Sequence, residues 1–329
     1  MLLRKPDFYD SFKCIADRCT DTCCVGWEID IDDGSQEAYR KVAGAFGDRL
    51  RVNIEDGHFK LLPHDRCPFL DKANLCEIYT HLGEGALCDI CREHPRFVEV
   101  YGDIMERGLG LCCEEAARLL LAGDGPLTFT NEECDEPEDK LDDDDREIRD
   151  EVLYAREQIF ATLADSTLNF QERLCGVFGI DAEKPFAPFG RARDIYGLLA
   201  KTVSFGPAWD EALERIKASV GIAEGQAQNA EPIKDQGYFS ENEGARLLIY
   251  LVYRHYAKCL FEGREQGKLL FALFFWNVVR LFTRELAGDE THPVQDNDSA
   301  IKINAIKILS RQLEYCEENM ELLERSLDE

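Results

Sequence analysis

Residues 14–24 of the chain read Cys-Ile-Ala-Asp-Arg-Cys-Thr-Asp-Thr-Cys-Cys, so four cysteines fall within one short segment. Thiolates at such spacings are the ligands that zinc ions and iron–sulfur clusters use. Ten of the 14 cysteines lie in the first 113 residues, at Cys14, Cys19, Cys23, Cys24, Cys67, Cys76, Cys88, Cys91, Cys112 and Cys113. The sequence therefore predicts a metal centre in a small N-terminal domain.

The net charge of −27 limits the classes of partner. Binding to phosphate groups needs a basic surface, so we expect no nucleic-acid partner and no membrane partner. An acidic surface suits a basic partner, such as a lysine-bearing protein, although solubility alone is an alternative explanation. Hydrophobic residues make up 45% of the chain, which is typical of a globular protein.

The cellular compartment is expected to be the cytoplasm. The first residues lack the apolar run of a secretory signal. The longest apolar stretch, residues 269–279, is too short to span a bilayer. In a reducing compartment, clustered cysteines are expected to be metal ligands rather than disulfides, which remain the alternative.

The cysteine-rich segment has a mixed secondary-structure pattern. Residues 27–31 alternate between apolar and polar, which predicts a short strand. Turns at Asp56-Gly57 and at Gly102-Asp103 predict two hairpins, with arms at residues 51–53 and 58–62 and at residues 97–101 and 104–109. Helices are expected at residues 36–42, 75–82 and 114–121.

The remainder of the chain is expected to be helical. An acidic stretch, Glu132 to Asp150, is predicted to begin as an exposed linker. A helix at residues 145–163 follows, and Ser240 and Glu243 form a capping box that opens another. Residues 267–286 are apolar on nearly all sides, which predicts a buried central helix. A final helix is expected to carry an apolar seam from Ile306 to Leu327.

The predicted fold class is therefore mainly α, of the α+β type. We expect a cysteine-rich domain with short hairpins over residues 1–131, an acidic linker over residues 132–144, and a helical bundle over residues 145–329. Residues 223–239 and 287–298 are expected to be loops.

The spacing of individual cysteines indicates how they could bind metal. Cys88-Asp-Ile-Cys91 allows two sulfurs to reach one metal ion from a tight turn. Cys67 and Cys76 flank a second turn. Adjacent cysteines rarely reach the same metal ion comfortably, so one member of each adjacent pair could serve a core or a second site.

Four ordered motifs resemble the flagellin lysine N-methylase family and, more distantly, small zinc- or iron-chelating cysteine-cluster domains. The similarity covers about residues 6–121 and continues weakly at residues 169–174 and 250–261. The motifs are Phe12-Lys-Cys14-x4-Cys19-x3-Cys23-Cys24-x-Gly26-Trp27, Cys67-Pro-Phe-Leu70-x5-Cys76-x-Ile78, Cys91-Arg-Glu-His-Pro-Arg96 and Cys113-Glu-Glu-Ala-Ala-Arg-Leu-Leu-Leu121.

This resemblance implies transfer of a methyl group from S-adenosylmethionine to a lysine side chain of flagellin or a similar protein. It also implies a cysteine-ligated 4Fe-4S cluster, with zinc as the alternative metal. The cysteines that match the family pattern are Cys14, Cys19, Cys23, Cys24, Cys67, Cys76, Cys91 and Cys113; Cys88 and Cys112 fall outside it and are weaker candidates. The preferred ligand set is Cys67, Cys76 and Cys91 with one of Cys19, Cys23 or Cys24.

Arg92, His94 and Arg96 follow Cys91 and are candidates for groups surrounding the metal centre. Guanidinium groups and N–H donors near sulfur would stabilise a negatively charged cluster. Pairing of the two arginines with local carboxylates is an equally good explanation. Trp27 is expected to cover the centre as a core aromatic.

The methyltransferase machinery is not visible in the sequence. There is no Gly-x-Gly-x-x-Gly loop after a strand, and residue 26 is glycine where a Cys-x-x-x-Cys-x-x-Cys motif would need a third cysteine. Methylation requires a neutral lysine amine, which a base or a desolvated pocket must provide. Tyr250, Tyr253, His255 and Tyr256 are candidates, although helix packing also explains them.

Three functions are therefore compatible with the sequence. The first is a metal-dependent protein-lysine N-methyltransferase. The alternative is a non-enzymatic iron- or zinc-binding protein for metal storage, delivery or redox sensing, which the excess of cysteines favours. A third, weaker hypothesis is a structural zinc domain joined to a helical interaction module.

Overall fold

Helices dominate the part of the chain that the computed structural model describes, which comprises residues 1–179, 192–204, 206–219, 237–287 and 298–328. The strands are β1 (Leu2–Pro6), β2 (Ile54–Glu55), β3 (His58–Phe59), β4 (Arg96–Tyr101), β5 (Ile104–Leu109) and β6 (Phe129–Glu133). The helices are α1 (Asp33–Lys41), α2 (Gly44–Val52), α3 (Glu77–Leu82), α4 (Asp89–Glu93), α5 (Glu114–Leu121), α6 (Asp143–Ala164), α7 (Phe170–Phe178), α8 (Ala192–Leu199), α9 (Pro207–Ser219), α10 (Glu241–His255), α11 (Cys259–Glu262), α12 (Glu265–Ala287), α13 (Asp298–Leu309) and α14 (Glu317–Asp328). The predicted fold class, mainly α with an α+β part, is confirmed.

A four-stranded sheet in the order β4-β5-β1-β6 joins segments that are distant in sequence. β4 and β5 form the hairpin expected around Gly102, whereas β1 runs parallel to β5 and antiparallel to β6. Neither β1 nor β6 was predicted, because their pairing is non-local. β6 also extends into the acidic stretch, where side-chain charge gives no sign of a strand.

The strand predicted at residues 27–31 is wrong. Ile29 and Ile31 are buried, and single hydrogen bonds connect them to Phe59 and Gly57 at 3.2 and 2.8 Å. Only an isolated bridge, from Asp30 to His58, forms there. The partner strand β3 is two residues long, so it cannot support a longer ladder. The hairpin around Asp56-Gly57 is present but short, because α2 continues through Val52.

Two hydrophobic cores organise the molecule. The smaller core lies around the cysteines and includes Ile29, Tyr39, Phe59, Phe69 and Ile78. The larger core combines Phe8, Tyr9 and Phe12 from the N-terminal segment with α5 and with the helices that follow. α12 is buried along most of its length and packs against α9, α10, α13 and α14, as expected for a central helix.

The helical half matches the predicted capping but not the predicted final helix. The capping box of Ser240 and Glu243 is present at the start of α10, and a second one joins Asn169 and Glu172. The seam expected on one continuous helix is divided between α13 and α14 by a π-helical segment, Ser310–Glu314. Most of the two predicted loops lies outside the described residues. No helix in the described ranges is long and apolar enough to cross a membrane.

Candidate metal centre

Five cysteines lie in the smaller core or pack against it, and Cys23 lies beside two of them. We call these six the first thiol group: Cys23, Cys24, Cys67, Cys76, Cys88 and Cys91. Their segments are tied by backbone hydrogen bonds, including one from Cys67 N–H to the Cys24 carbonyl at 2.9 Å. Other cysteines of the group lie directly before short helices, since Cys76 precedes α3 and Cys88 precedes α4. Three turns of the cysteine-rich segment therefore converge on one place.

Contacts between the cysteines of the first thiol group shift the pKa values of their thiols. The Cys91 thiol hydrogen-bonds to the Cys88 sulfur, which lowers the pKa of Cys88 and, together with burial, raises the pKa of Cys91. The hydrogen bond to Cys24 and burial raise the pKa of Cys23. Burial raises the pKa of Cys67 to about 11. Metal binding must therefore displace protons from these thiols.

A second thiol group comprises Cys19, Cys112 and Cys113. Burial raises the pKa of Cys113 to about 12, and the charges of Cys112 and Cys19 add to the shift. The thiol of Cys19 donates to the Glu114 carboxylate at 3.7 Å. This group lies where the start of α5 meets the N-terminal loop.

The structure distributes the predicted ligands unevenly. Cys67, Cys76 and Cys91, the preferred ligands, lie together with Cys23 and Cys24. Cys88, a weaker candidate from the sequence, lies among them, whereas Cys112 lies with the second thiol group. Cys19 and Cys113 also belong to that second group. Cys14 is exposed and, within the described residues, belongs to neither group.

The three residues after Cys91 take different positions. Arg92 pairs with Asp89 and Glu93, which agrees with the carboxylate-pairing explanation. Arg96 lies over the Phe12 ring, with its guanidinium carbon 5.2 Å from the ring centroid. Burial and the charge of Arg311 lower the pKa of His94 to about 4, so this imidazole is neutral near pH 7.

Trp27 was expected to be a core aromatic, and it is half-buried beside the first thiol group. Its indole N–H donates to the Cys23 carbonyl at 2.7 Å, and its ring lies 5.7 Å from that of His94. The indole also packs against the smaller core. The indole ring is therefore anchored to the backbone of the Cys23 loop.

Two cations from the helical half approach the cysteines, and sequence reasoning missed them. Lys307 on α13 lies 3.5 Å from Asp21, and Arg311, one turn later, lies 3.2 Å from the same carboxylate. Arg311 also donates to the Thr22 carbonyl at 3.4 Å. Because the two residues are four positions apart, both lie on one face of the helix. This spacing is the signal that the sequence offered. The sequence does not show which surface this face contacts, because that contact depends on tertiary packing.

The four candidate bases of α10 and its continuation are structural. Tyr250 exchanges hydrogen bonds of 2.5 Å with the backbone of Leu109, and Tyr253 donates to the carbonyls of Arg4 and Arg107 at 3.0 Å. His255 contacts Glu314 at 2.8 Å, and Tyr256 donates to the Glu265 carboxylate. All four side chains belong to buried residues, so packing explains them better than proton transfer does.

The donor chemistry of the first thiol group fits a 4Fe-4S cluster or a zinc ion. A cluster takes four thiolates, and six thiols are gathered here. Across the described ranges, however, no three His, Cys, Asp or Glu side chains are already arranged to hold a metal ion. Binding therefore requires the thiols to turn towards a common point as they lose their protons.

Comparison with known proteins gives relatives of one kind. The flagellar biosynthetic protein FliU of Salmonella muenchen is 28% identical over 130 residues, which cover 36% of this chain and 75% of that protein. The lysine-N-methylases of Salmonella typhimurium and Salmonella choleraesuis are 29% identical over 131 residues. These residues cover 36% of this chain but 32% of each lysine-N-methylase, so the chain spans about a third of their length.

No family model and no solved structure matches the chain. The sequence similarity nevertheless agrees with the resemblance that the cysteine motifs carry. Over about a third of its length, the chain is similar in sequence to these lysine-N-methylases.

Proposed function

We propose that this protein is an S-adenosylmethionine-dependent protein-lysine N-methyltransferase of the cytoplasm. Its substrate would be flagellin or another lysine-bearing protein, and it would depend on a cysteine-ligated 4Fe-4S cluster, with zinc as the alternative metal. The observation that carries the proposal is the first thiol group in a chain related to lysine-N-methylases.

Methyl transfer to lysine sets a simple balance of bonds and protons. The bond between sulfur and methyl carbon in S-adenosylmethionine breaks, and its electron pair stays on sulfur in S-adenosylhomocysteine. The lone pair of the lysine Nζ forms the new bond to carbon, so this nitrogen must first lose a proton. The acidic surface of the chain attracts the lysine-bearing partner.

The cysteines would hold the cluster beside the smaller core. Cys67, Cys76 and Cys91, with Cys23 or Cys24, provide the four thiolates that a cubane cluster takes. When bound, the cluster supplies a redox-active centre of negative charge. The smaller core would pack against one side of this centre, and Arg311 provides a positive charge close to the Cys23 loop.

The test compares methylation by anaerobically purified variants. The wild type, Cys67→Ser, Cys91→Ser and the control Cys134→Ser, whose thiol lies outside both groups, are incubated with S-adenosylmethionine and flagellin. Mass spectrometry then counts methylated lysines. We expect methylation by the wild type and by Cys134→Ser, and a loss in the other two variants, with thermal unfolding confirming that they fold. No methylation by cluster-loaded wild type contradicts the proposal.

The alternative is a non-enzymatic iron- or zinc-binding protein for storage, delivery or redox sensing. The observation that favours it is the second thiol group, which provides more sulfurs than one cluster needs. Stoichiometric metal binding without any methylation supports this alternative. Turnover that depends on Cys67 and Cys91 excludes it.

A further inference from the structure

β6 forms one free edge of the four-stranded sheet, and nearly all of this strand is exposed. It is the last strand in the order β4-β5-β1-β6, and among the described strands it pairs with β1 alone. Residues 130–133 are exposed, whereas Phe129 packs against Phe160 and Tyr253. In β4, at the opposite edge, only Val98 is exposed. The edge of the sheet that a partner can reach along its length is therefore that of β6.

The backbone groups along the outer edge of β6 lack partners within the described residues. Just before the strand, Asp7 N–H donates to the Thr128 carbonyl at 2.9 Å. In an antiparallel ladder, such hydrogen-bonded pairs alternate with pairs whose N–H and C=O groups point outwards. By the register of β1 and β6, the outward groups include those of Asn131 and Glu133, and no other described residue hydrogen-bonds to them. Such a row of donors and acceptors is a template for a further strand.

The side chains along this edge are acidic. Glu132 pairs with Lys5 at 2.8 Å, whereas Glu133, Asp135 and Glu136 are exposed and have no ion-pair partner in the part of the chain that the structure describes. A second copy of this chain would bring like charges together across the edge, which is unfavourable. A strand that carries lysines would instead place opposite charges beside these carboxylates.

We propose that the outer edge of β6 binds an extended, lysine-bearing segment of the partner protein as a fifth strand of the sheet. Backbone hydrogen bonds to Asn131 and Glu133 provide the affinity, and the side chains of the added strand provide the specificity. Glu133 offers a free carboxylate on the strand itself, and Asp135 and Glu136 extend the negative charge beyond its end. This inference rests on the proposed function, because the segment belongs to its protein substrate.

The test measures binding of a peptide to the anaerobically purified full chain by fluorescence anisotropy at low ionic strength. The probe is a labelled peptide of alternating lysine and threonine, since β-branched threonine favours the extended form. The same sequence with every backbone amide N-methylated keeps the charges but has no N–H donors. This second peptide separates strand pairing from attraction by charge alone.

Three variants locate the binding edge. Asn131→Pro removes an outward N–H and leaves the bonds to β1, because an edge strand tolerates proline where the N–H faces solvent. Glu133→Gln removes one charge from the edge. Glu318→Gln is the matched control, since it removes one charge from an exposed side chain on α14. Thermal unfolding checks that each variant is folded.

We expect the N-methylated peptide to bind wild type at least about tenfold more weakly than the unmodified peptide, as several backbone hydrogen bonds are lost. For the unmodified peptide, Asn131→Pro should weaken binding about fivefold and Glu133→Gln about threefold, whereas Glu318→Gln should leave it unchanged. Equal affinity of wild type for the two peptides overturns docking as a strand, and this comparison decides the matter even if Asn131→Pro does not fold. Equal affinity of folded Asn131→Pro and wild type overturns the assignment to β6.

The proposed function can fail separately from this docking site. If wild type methylates flagellin but binds both peptides equally, the docking site is wrong and the proposed function stands. If the peptide binds as a strand at β6 but wild type methylates no lysine, the docking site stands and the proposed function is contradicted.

Discussion

At the scale of single residues, His255 illustrates how the interior of this protein sets side-chain charge. It is buried beside Arg254 and contacts the Glu314 carboxylate at 2.8 Å. Burial lowers the pKa of His255 to about 4, although Glu314 acts in the opposite direction. Burial alone would raise the pKa of Glu314, but Arg254 and His255 outweigh it and hold that pKa at about 2. At neutral pH the cluster therefore contains a neutral imidazole and a guanidinium that both contact the Glu314 carboxylate.

We predict that His255 makes the fold less stable in mild acid. Its pKa is lower in the folded state than the ordinary value of 6.5, so protonation favours the unfolded chain. The penalty is absent above pH ~6.5, grows as the pH falls towards 4, and reaches about 2 kcal/mol near pH 5. Glu314 stays ionised throughout this window, because its pKa is about 2.

Urea unfolding at pH 7 and at pH 5 measures this effect. The wild type and the control His64→Asn, at an exposed position, should lose about 2 kcal/mol more between the two pH values than His255→Gln does. An equal loss in all three proteins contradicts the assignment.

At the scale of elements, α13 and the π-helical segment hold the loop that carries Cys19, Cys23 and Cys24. Asp21 in this loop pairs with Lys307 and Arg311, and Thr20 N–H donates to the Glu114 carboxylate at 3.0 Å. Burial alone would raise the pKa of Asp21, but Arg311 and the Thr22 N–H outweigh it and lower that pKa. The loop is thus fastened to the helical half by charge as well as by packing.

Replacement of Asp21 is predicted to loosen this loop. Asp21→Asn removes the shared negative charge and leaves Lys307, a side chain only 7% exposed, without its nearer anionic partner. We expect a loss of about 1 kcal/mol in stability, since the pair is partly exposed, and faster labelling of Cys19 and Cys23 by a thiol reagent. Asp17→Asn, on the exposed part of the same segment, should leave both quantities unchanged. If Cys19 and Cys23 are labelled at the same rate in Asp21→Asn as in the wild type, Asp21 does not hold this loop in place.

The elements also show what sequence reasoning can predict. Local signals located α5, with bounds at Glu114 and Leu121, and the capping box at Ser240, because both depend on neighbouring residues. β1 and β6 were missed because each pairs with strands about 100 residues or more away. The π-helical break was missed because the apolar spacing continues across it.

The candidate site was likewise predictable from the sequence only in part. The ten cysteines were identifiable from their spacing, but the separation of nine of them into two thiol groups, with Cys14 in neither, was not. Cys88 lies with Cys67 and Cys91 only because α4 folds against the smaller core. The role of Lys307 and Arg311 also depends on tertiary packing. The domain boundaries at residues 131 and 145 stay a prediction.

At the scale of the whole molecule, excess negative charge is the dominant property. With a net charge of −27, the chain attracts cationic partners over long range. Several buried cations are already neutralised inside the fold, as Arg156 is by Glu106. The surface therefore retains a strong negative field, which suits a partner rich in lysine.

We predict that binding of the protein substrate depends strongly on salt. Affinity for flagellin should fall as ionic strength rises from ~0.01 M to ~0.15 M, because the Debye length shortens from about 30 to about 8 Å. Surface plasmon resonance at the two salt concentrations measures this change. Flagellin with acetylated lysines serves as the control and should show a weaker salt dependence. A salt-independent affinity for unmodified flagellin argues against electrostatic recognition.

The most direct test of the central claim is the metal content of anaerobically purified protein. Iron, sulfide and zinc are assayed on the same sample as a visible absorption spectrum, for the wild type and for Cys67→Ser, with Cys134→Ser as the control. We predict brown wild-type protein with about four iron and four sulfide per chain, retained in Cys134→Ser and reduced in Cys67→Ser. Colourless wild-type protein that carries stoichiometric zinc, or no metal at all, contradicts the account of an iron–sulfur methyltransferase.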